Sequence, residues 1–178
     1  MTPILGITAS QMTGHLITDA FDSIATISGG GLSTGTFSSI PQTYKSLHLR
    51  VYVRDTNNIG VWIRFNGDSS ASYGASSYMD LSSPSSVIGS STSGTTGTSA
   101  VGALSTNQAG YMIPSMIDIL DYTSTSKNKF VASHTGNYST VRVYGSEWVN
   151  TSAITSINVS IPTGTWGTGT TFELYGVK

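Results

Sequence analysis

Alternation of apolar and polar residues with a period of two restricts this chain most. In "KSLHLRVYVR" (45–54), Leu47, Leu49, Val51 and Val53 fall on one side, and His48, Arg50, Tyr52 and Arg54 on the other. Successive side chains of a β-strand point to opposite faces, so the pattern predicts a half-buried strand. "VWIRF" repeats it, with Val61, Ile63 and Phe65 inward and Trp62 and Arg64 outward. The same reading puts Val141 and Val143 inward in "TVRVYG", Ile157, Val159 and Ile161 in "SINVSI", and Phe172, Leu174 and Val177 in "TFELYGV". "DSIATIS" and "TGTFSS" read as two strands around "GGGLS", whose glycines permit positive φ.

"YMIPSMIDILDY" carries apolar residues on both faces. A strand covered on both sides reads this way, and Pro114 then suggests an edge position or a bulge. A helix over 115–122 is the competing reading, disfavoured by the isoleucine-rich composition. Segment 82–110 is rich in serine, threonine and glycine and cannot build a core alone. Within it "SSVIGSS" and "TSAVGAL" could form short edge strands. Short connections and regularly spaced strand signals together predict an all-β fold, an antiparallel β-sandwich over residues 21–178. Residues 1–20 stand outside the pattern and predict an extended N-terminal arm. It either closes the domain's own core or docks on a neighbouring subunit through Ile4, Leu5, Ile7 and Met12.

Chemistry-bearing residues are scarce. Cysteine is absent, which removes disulfides, thiolate metal sites and a cysteine nucleophile. The three histidines, His15, His48 and His134, are far apart and lack metal-ligand spacing. Asp118 and Asp121 are the nearest carboxylates in an apolar setting, but three residues apart on a strand they face opposite ways. "SGGGLSTG" lacks the lysine of a phosphate loop, and no nucleophile elbow is present. The N-x-S matches at Asn137, Asn150 and Asn158 carry no weight in so serine-rich a chain. These readings predict a protein that is not an enzyme, with no cofactor and no metal.

Charged residues make up 10% of the chain and the net charge is −1, so nothing attracts a polyanion to the whole surface. Nucleic acid and membrane are not expected partners, since no apolar run reaches ~18 residues. "MTPILGITASQMTGH" lacks the basic and apolar regions of a signal peptide, so export by a cleaved signal is not expected. The candidate surface patch is the outward stripe Arg50, Tyr52, Arg54, Trp62 and Arg64, which clusters if its two strands pair. Arginine and aromatic side chains are enriched in protein interfaces and sugar platforms. The stripe is either covered by the chain's own arm or 82–110 segment, a subunit contact, or a glycan site. In "IRFNGDSSASYGASSY" (63–78), Asn66-Gly67 predicts a tight hairpin turn. A calcium site there lacks carboxylates beyond Asp68, leaving Tyr73 and Tyr78 as candidates to face a neighbour.

Several stretches together resemble a family of small virion proteins of tailed bacteriophages, common in marine and cyanobacterial phages. They are "ILGITASQMTGHL", "FDSIATISGGG", "TFSSIPQTYKSLHLR", "WIRFNGDSSASY", "IDILDYTSTSKNK" and "GSEWVNTSAITSINVSIPTGTWGTGTTFELYGVK". The resemblance implies a jelly-roll β-sandwich on the particle, without catalysis. On this resemblance the chain is expected to decorate the head as a cement protein, with a homotrimer favoured and the major capsid protein as partner. The alternative is a tail-fibre module recognising host-surface polysaccharide. Segment 82–110 departs most from the family pattern.

Overall fold

The computed structural model describes residues 20–54, 61–70, 72–74, 112–136, 141–161 and 163–178, and the backbone of 76–80 and 90–92. Among these residues every regular element is a strand. They are β1 (Phe21–Ser28), β2 (Thr34–Phe37), β3 (Ser46–Arg54), β4 (Trp62–Phe65), β5 (Ser76–Asp80) and β6 (Ser90–Thr92). Then follow β7 (Met112–Leu120), β8 (Lys129–Gly136), β9 (Val141–Trp148), β10 (Ile157–Ser160) and β11 (Thr171–Val177). All pairings are antiparallel. One sheet has eight strands in the order β1-β11-β3-β7-β8-β9-β5-β6, and the other three in the order β2-β10-β4.

The two sheets share one core. Leu47, Leu49, Val51 and Val53 of β3, Phe172 and Leu174 of β11, and Ile117 and Ile119 of β7 supply the large sheet's share. Ile63 and Phe65 of β4, Ile157 and Val159 of β10, and Phe37 of β2 supply the other. Each fully buried aliphatic side chain stabilises the fold by about 1.5–3 kcal/mol, which is why these strands keep the parity their sequences announce. A register shift between Ser23 and Ala25 makes Ile24 a bulge. The extra residue lets Ile24 and Ile27, three apart, both pack on the core. Lys178 N–H donates to Ala20 O (3.2 Å), so the strands at the two ends of this domain lie side by side.

β7 is a strand, as its isoleucine-rich composition favours, and it is central, with β3 on one side and β8 on the other. Three sequence expectations change. Pro114 is at neither an edge nor a bulge. Its carbonyl lies 3.5 Å from Thr135 Oγ1 of β8, so its missing N–H also faces β8, one residue beyond the last β7–β8 pair, Ser115–Thr135. No ladder bond is lost there. Val141 and Val143 point outward, because Tyr144 and Trp148 of β9 have the opposite parity and are buried. Aromatic rings bury far more surface than two valines, and a strand can satisfy only one parity. Val177 likewise stands opposite to Phe172 and Leu174, and Gly176 takes the inward position against the Tyr44 ring. The expected arm, with Ile4, Leu5, Ile7 and Met12, lies outside the described residues, as does most of 82–110; β6 is the edge strand found within it.

Candidate functional site

The outer face of the eight-stranded sheet is the first candidate. β3 and β7 pair in a register that sets His48 opposite Asp118, and His48 Nδ1 meets Asp118 Oδ1 at 2.7 Å. The Phe21 ring packs edge-on to His48 with centroids 5.4 Å apart. Arg50, next outward on β3, lays its guanidinium 4.6 Å from the Tyr175 centroid and 5.7 Å from that of Phe21. Tyr175 donates its hydroxyl to Glu173 Oε2 (2.9 Å), and that bond, foremost, raises the phenol above its ordinary value. Beside this cluster lies a concavity of about 580 Å³ between Phe21, Tyr52, Met116, His134 and Val141.

This face is largely apolar. Met112, Met116, Leu120, Phe130, Val141 and Val143 are all 37–50% exposed. On β8 and β9 the inner face is mixed: Ser133, Thr135 and Ser146 are buried beside Val131, Tyr144 and Trp148, while Phe130, Val141 and Val143 face out. Ser115 Oγ donates to Thr135 Oγ1 (2.7 Å), but the hydroxyls of Ser133 and Ser146 are buried without a partner among the described residues. Ser115 is thus engaged away from His48. Among the described residues no three His, Asp or Glu side chains converge as metal ligands, and no helix is long and apolar enough to cross a membrane.

The outer face of the three-stranded sheet is chemically different. Registers place Thr36, Asn158 and Arg64 in one cross-strand row, and Thr34, Ser160 and Trp62 in the next. A trough of about 520 Å³ follows these rows, walled at one end by Asn66. Asn158 Nδ2 donates to Thr34 Oγ1 (2.9 Å), Thr36 Oγ1 (3.0 Å) and Gly35 O (3.2 Å). Thr34 passes its own proton to Val159 O (3.2 Å). Arg64 Nε is shut off from solvent and has no hydrogen-bond partner among the described residues.

The expected five-residue patch is therefore split. β3 and β4 belong to different sheets, so Arg50, Tyr52 and Arg54 share one outer face while Trp62 and Arg64 occupy the other. His134 lies within β8, exposed on the large face. The His48–Asp118 pair was hidden in the sequence, since it exists only through the β3–β7 register.

The segment after β4 is a turn without a hairpin. Asn66 and Gly67 adopt φ of 53° and 68°, and Asp68 N–H donates to Phe65 O (2.9 Å), but β5 pairs with β9 and β6 instead of β4. Asn66 clamps the approach to β10: its Oδ1 accepts from Thr155 N–H (2.8 Å), Ser156 N–H (3.1 Å) and Thr155 Oγ1 (3.2 Å), and its Nδ2 donates to Ala153 O (2.8 Å). Asp68 Oδ2 accepts from Trp148 Nε1 (2.8 Å). Burial pushes the Asp68 carboxyl upward, but the bonds from Ser70 and Trp148 outweigh it and hold it below its ordinary value. Tyr73 is buried against Phe65 and Trp148 and does not face a neighbour. The side chain of Tyr78 lies outside the described residues.

Comparison with protein-family models, with curated proteins and with solved structures finds no significant match.

Proposed function

We propose that this chain is a non-enzymatic structural protein of a bacteriophage particle, a capsid decoration protein that binds the head through the outer face of its eight-stranded sheet. The exposed apolar side chains of β7, β8 and β9 carry the reading. Met112, Met116, Leu120, Phe130, Val141 and Val143 all stand on this face, and an exposed apolar face of this kind marks an interface. Arg50, Tyr52 and Met116 add the residue types in which interface cores are enriched.

The winding of the strands supports a jelly-roll sandwich. β1 to β4 alternate between the sheets; β10 then inserts between β2 and β4, and β11 between β1 and β3. Nested Greek keys of this form make the jelly roll that capsid and lectin domains share. In this reading the partner is the major capsid protein, the assembly is a homotrimer on the virion, and Ile4, Leu5, Ile7 and Met12 form an additional docking segment. The resemblance to tailed-phage virion proteins supports the same assignment.

Counting copies on purified particles tests it. Numbers that follow the capsid lattice are expected, and a few copies confined to the tail would overturn the decoration role. Met116→Glu, at a half-exposed outer position, should leave the fold intact and lower particle occupancy. A second reading, a tail-fibre module that recognises host polysaccharide, is favoured by one observation. The small sheet presents a polar outer face bearing Trp62 and Arg64.

A further inference from the structure

The polar trough on the three-stranded sheet leaves a definite set of groups open to a ligand. Three short strands pair there without a register shift, so the side chains stand on a grid about 4.8 Å across the strands and 6.8 Å along them. Asn158 commits its amide nitrogen to β2, which turns its Oδ1 into an acceptor with no bond among the described residues. Thr36 accepts from Asn158 and retains its own proton to donate. Arg64, in the same row, meets no carboxylate among the described residues, and its Nε is buried and unsatisfied. Asn66 differs: its oxygen and one of its amide protons are already engaged by 153–156, so its part is to shape the end wall.

A donor hydroxyl, an acceptor amide oxygen and a cation, spaced at strand-to-strand distance, match neighbouring hydroxyls of a sugar ring that also carries a negative group. Trp62 stands on the same face, one row from Arg64 and beside the trough rather than in its lining, so its indole can take the C–H surface of a ring that extends past the trough's margin. A carboxylate can accept bonds from the terminal nitrogens of a guanidinium that meets no carboxylate among the described residues.

We infer that this trough binds an acidic saccharide of the uronate class, with its carboxylate on Arg64, its hydroxyls on Thr36 and Asn158, and its apolar face on Trp62. The site lies across the core from the apolar face assigned to assembly. It therefore stays open on an assembled particle, whichever particle structure the protein belongs to.

Of the three tryptophans, Trp148 and Trp166 are each 1% exposed, so a fluorescence change on titration reports Trp62. Trigalacturonate added to the full chain should give a saturable change, with neutral galactotriose at least about tenfold weaker. Arg64→Gln, with its thermal midpoint measured in parallel, should abolish that preference. Thr36→Val, which keeps the side-chain shape, should weaken trigalacturonate severalfold and decides the matter if the arginine variant fails to fold. No saturable change, equal binding of the neutral sugar, or variants that fold and bind like the parent would overturn the inference. So would equally tight binding of acetate or of an oligoglutamate peptide, which would mark a general anion or acidic-peptide site. None of these failures alters the copy number on particles, so the two readings fall separately.

Discussion

Removing the Asn66 side chain should destabilise the fold more than its exposed position suggests. Its four side-chain bonds tie the end of β4 to 153–156, close to ninety residues away in sequence. A net hydrogen bond contributes about 0.5–1.5 kcal/mol, and exposed groups lie at the low end because water can replace the partner, giving about 2 kcal/mol for the set. Asn66 also holds φ at 53°, where an ordinary L residue pays about 1–2 kcal/mol. Asn66→Ala loses both contributions, about 3–4 kcal/mol. Asn66→Gly relieves the backbone but loses the clamp and gains unfolded-state entropy, about 2–3 kcal/mol. Asn66→Asp keeps the acceptor oxygen and loses only the donation to Ala153, about 1 kcal/mol. Urea denaturation with a common slope should therefore rank the variants Asp, Gly, Ala from mildest to most severe. For a domain of this size the alanine variant should melt about 6–16 °C lower. A glycine variant as stable as the parent would refute the clamp, leaving only the turn conformation to matter.

Other consequences can be measured in the same way. Gly176→Ala drives a methyl group into the Tyr44 ring and should cost about 1–3 kcal/mol by thermal melting, a cost that should largely vanish when the same change is made in a Tyr44→Ala background. Lys129 is fully buried and donates to the carbonyls of Lys127 (2.6 Å), Thr151 (3.1 Å) and Asn150 (3.4 Å). Lys129→Met leaves those acceptors unpaired and should cost about 2–4 kcal/mol in urea. Burial lowers the Lys129 ammonium below its ordinary 10.5, so the native state sheds this proton first. Its contribution therefore makes stability rise with pH between the lowered value and 10.5, a slope that Lys129→Met should lack. Asp68 has the opposite consequence at low pH. Its folded value lies below 3.8, so its stabilisation is complete above that pH and disappears as pH falls through the folded value. Asp68→Asn should flatten the acid limb of the stability curve below about pH 4.

Legibility in the sequence follows the chemistry of the buried parity. β3, β4, β10 and β11 could be read because leucine, isoleucine, valine and phenylalanine fill alternate positions and polar residues fill the rest. β8 and β9 could not, because Lys129, Ser133, Thr135 and Ser146 share the inner face with Val131, Tyr144 and Trp148, while Phe130, Val141 and Val143 take the outer. The shared parity of Tyr144 and Trp148 was the one available signal, and it outweighs the valines only when ring size is considered. Parity also says which face a residue takes, never which sheet its strand joins. For that reason Arg50 and Arg64 looked like neighbours and are not. The His48–Asp118 contact depends on the register of two strands seventy residues apart, and no local pattern encodes it.

The pairing of β1 with β11 has a mechanical side. Phe21 at the start of one strand lies opposite Val177 at the end of the other, with Lys178 bonded to Ala20 beside them. Tension applied between residues 20 and 178 would open this ladder like a zipper, rupturing one antiparallel pair at a time, and the opposing force would stay small throughout. Load spread over the broad sheet face would instead have to shear many pairs together. A protein built this way resists stress when it is held by its surface and yields when it is pulled by its ends.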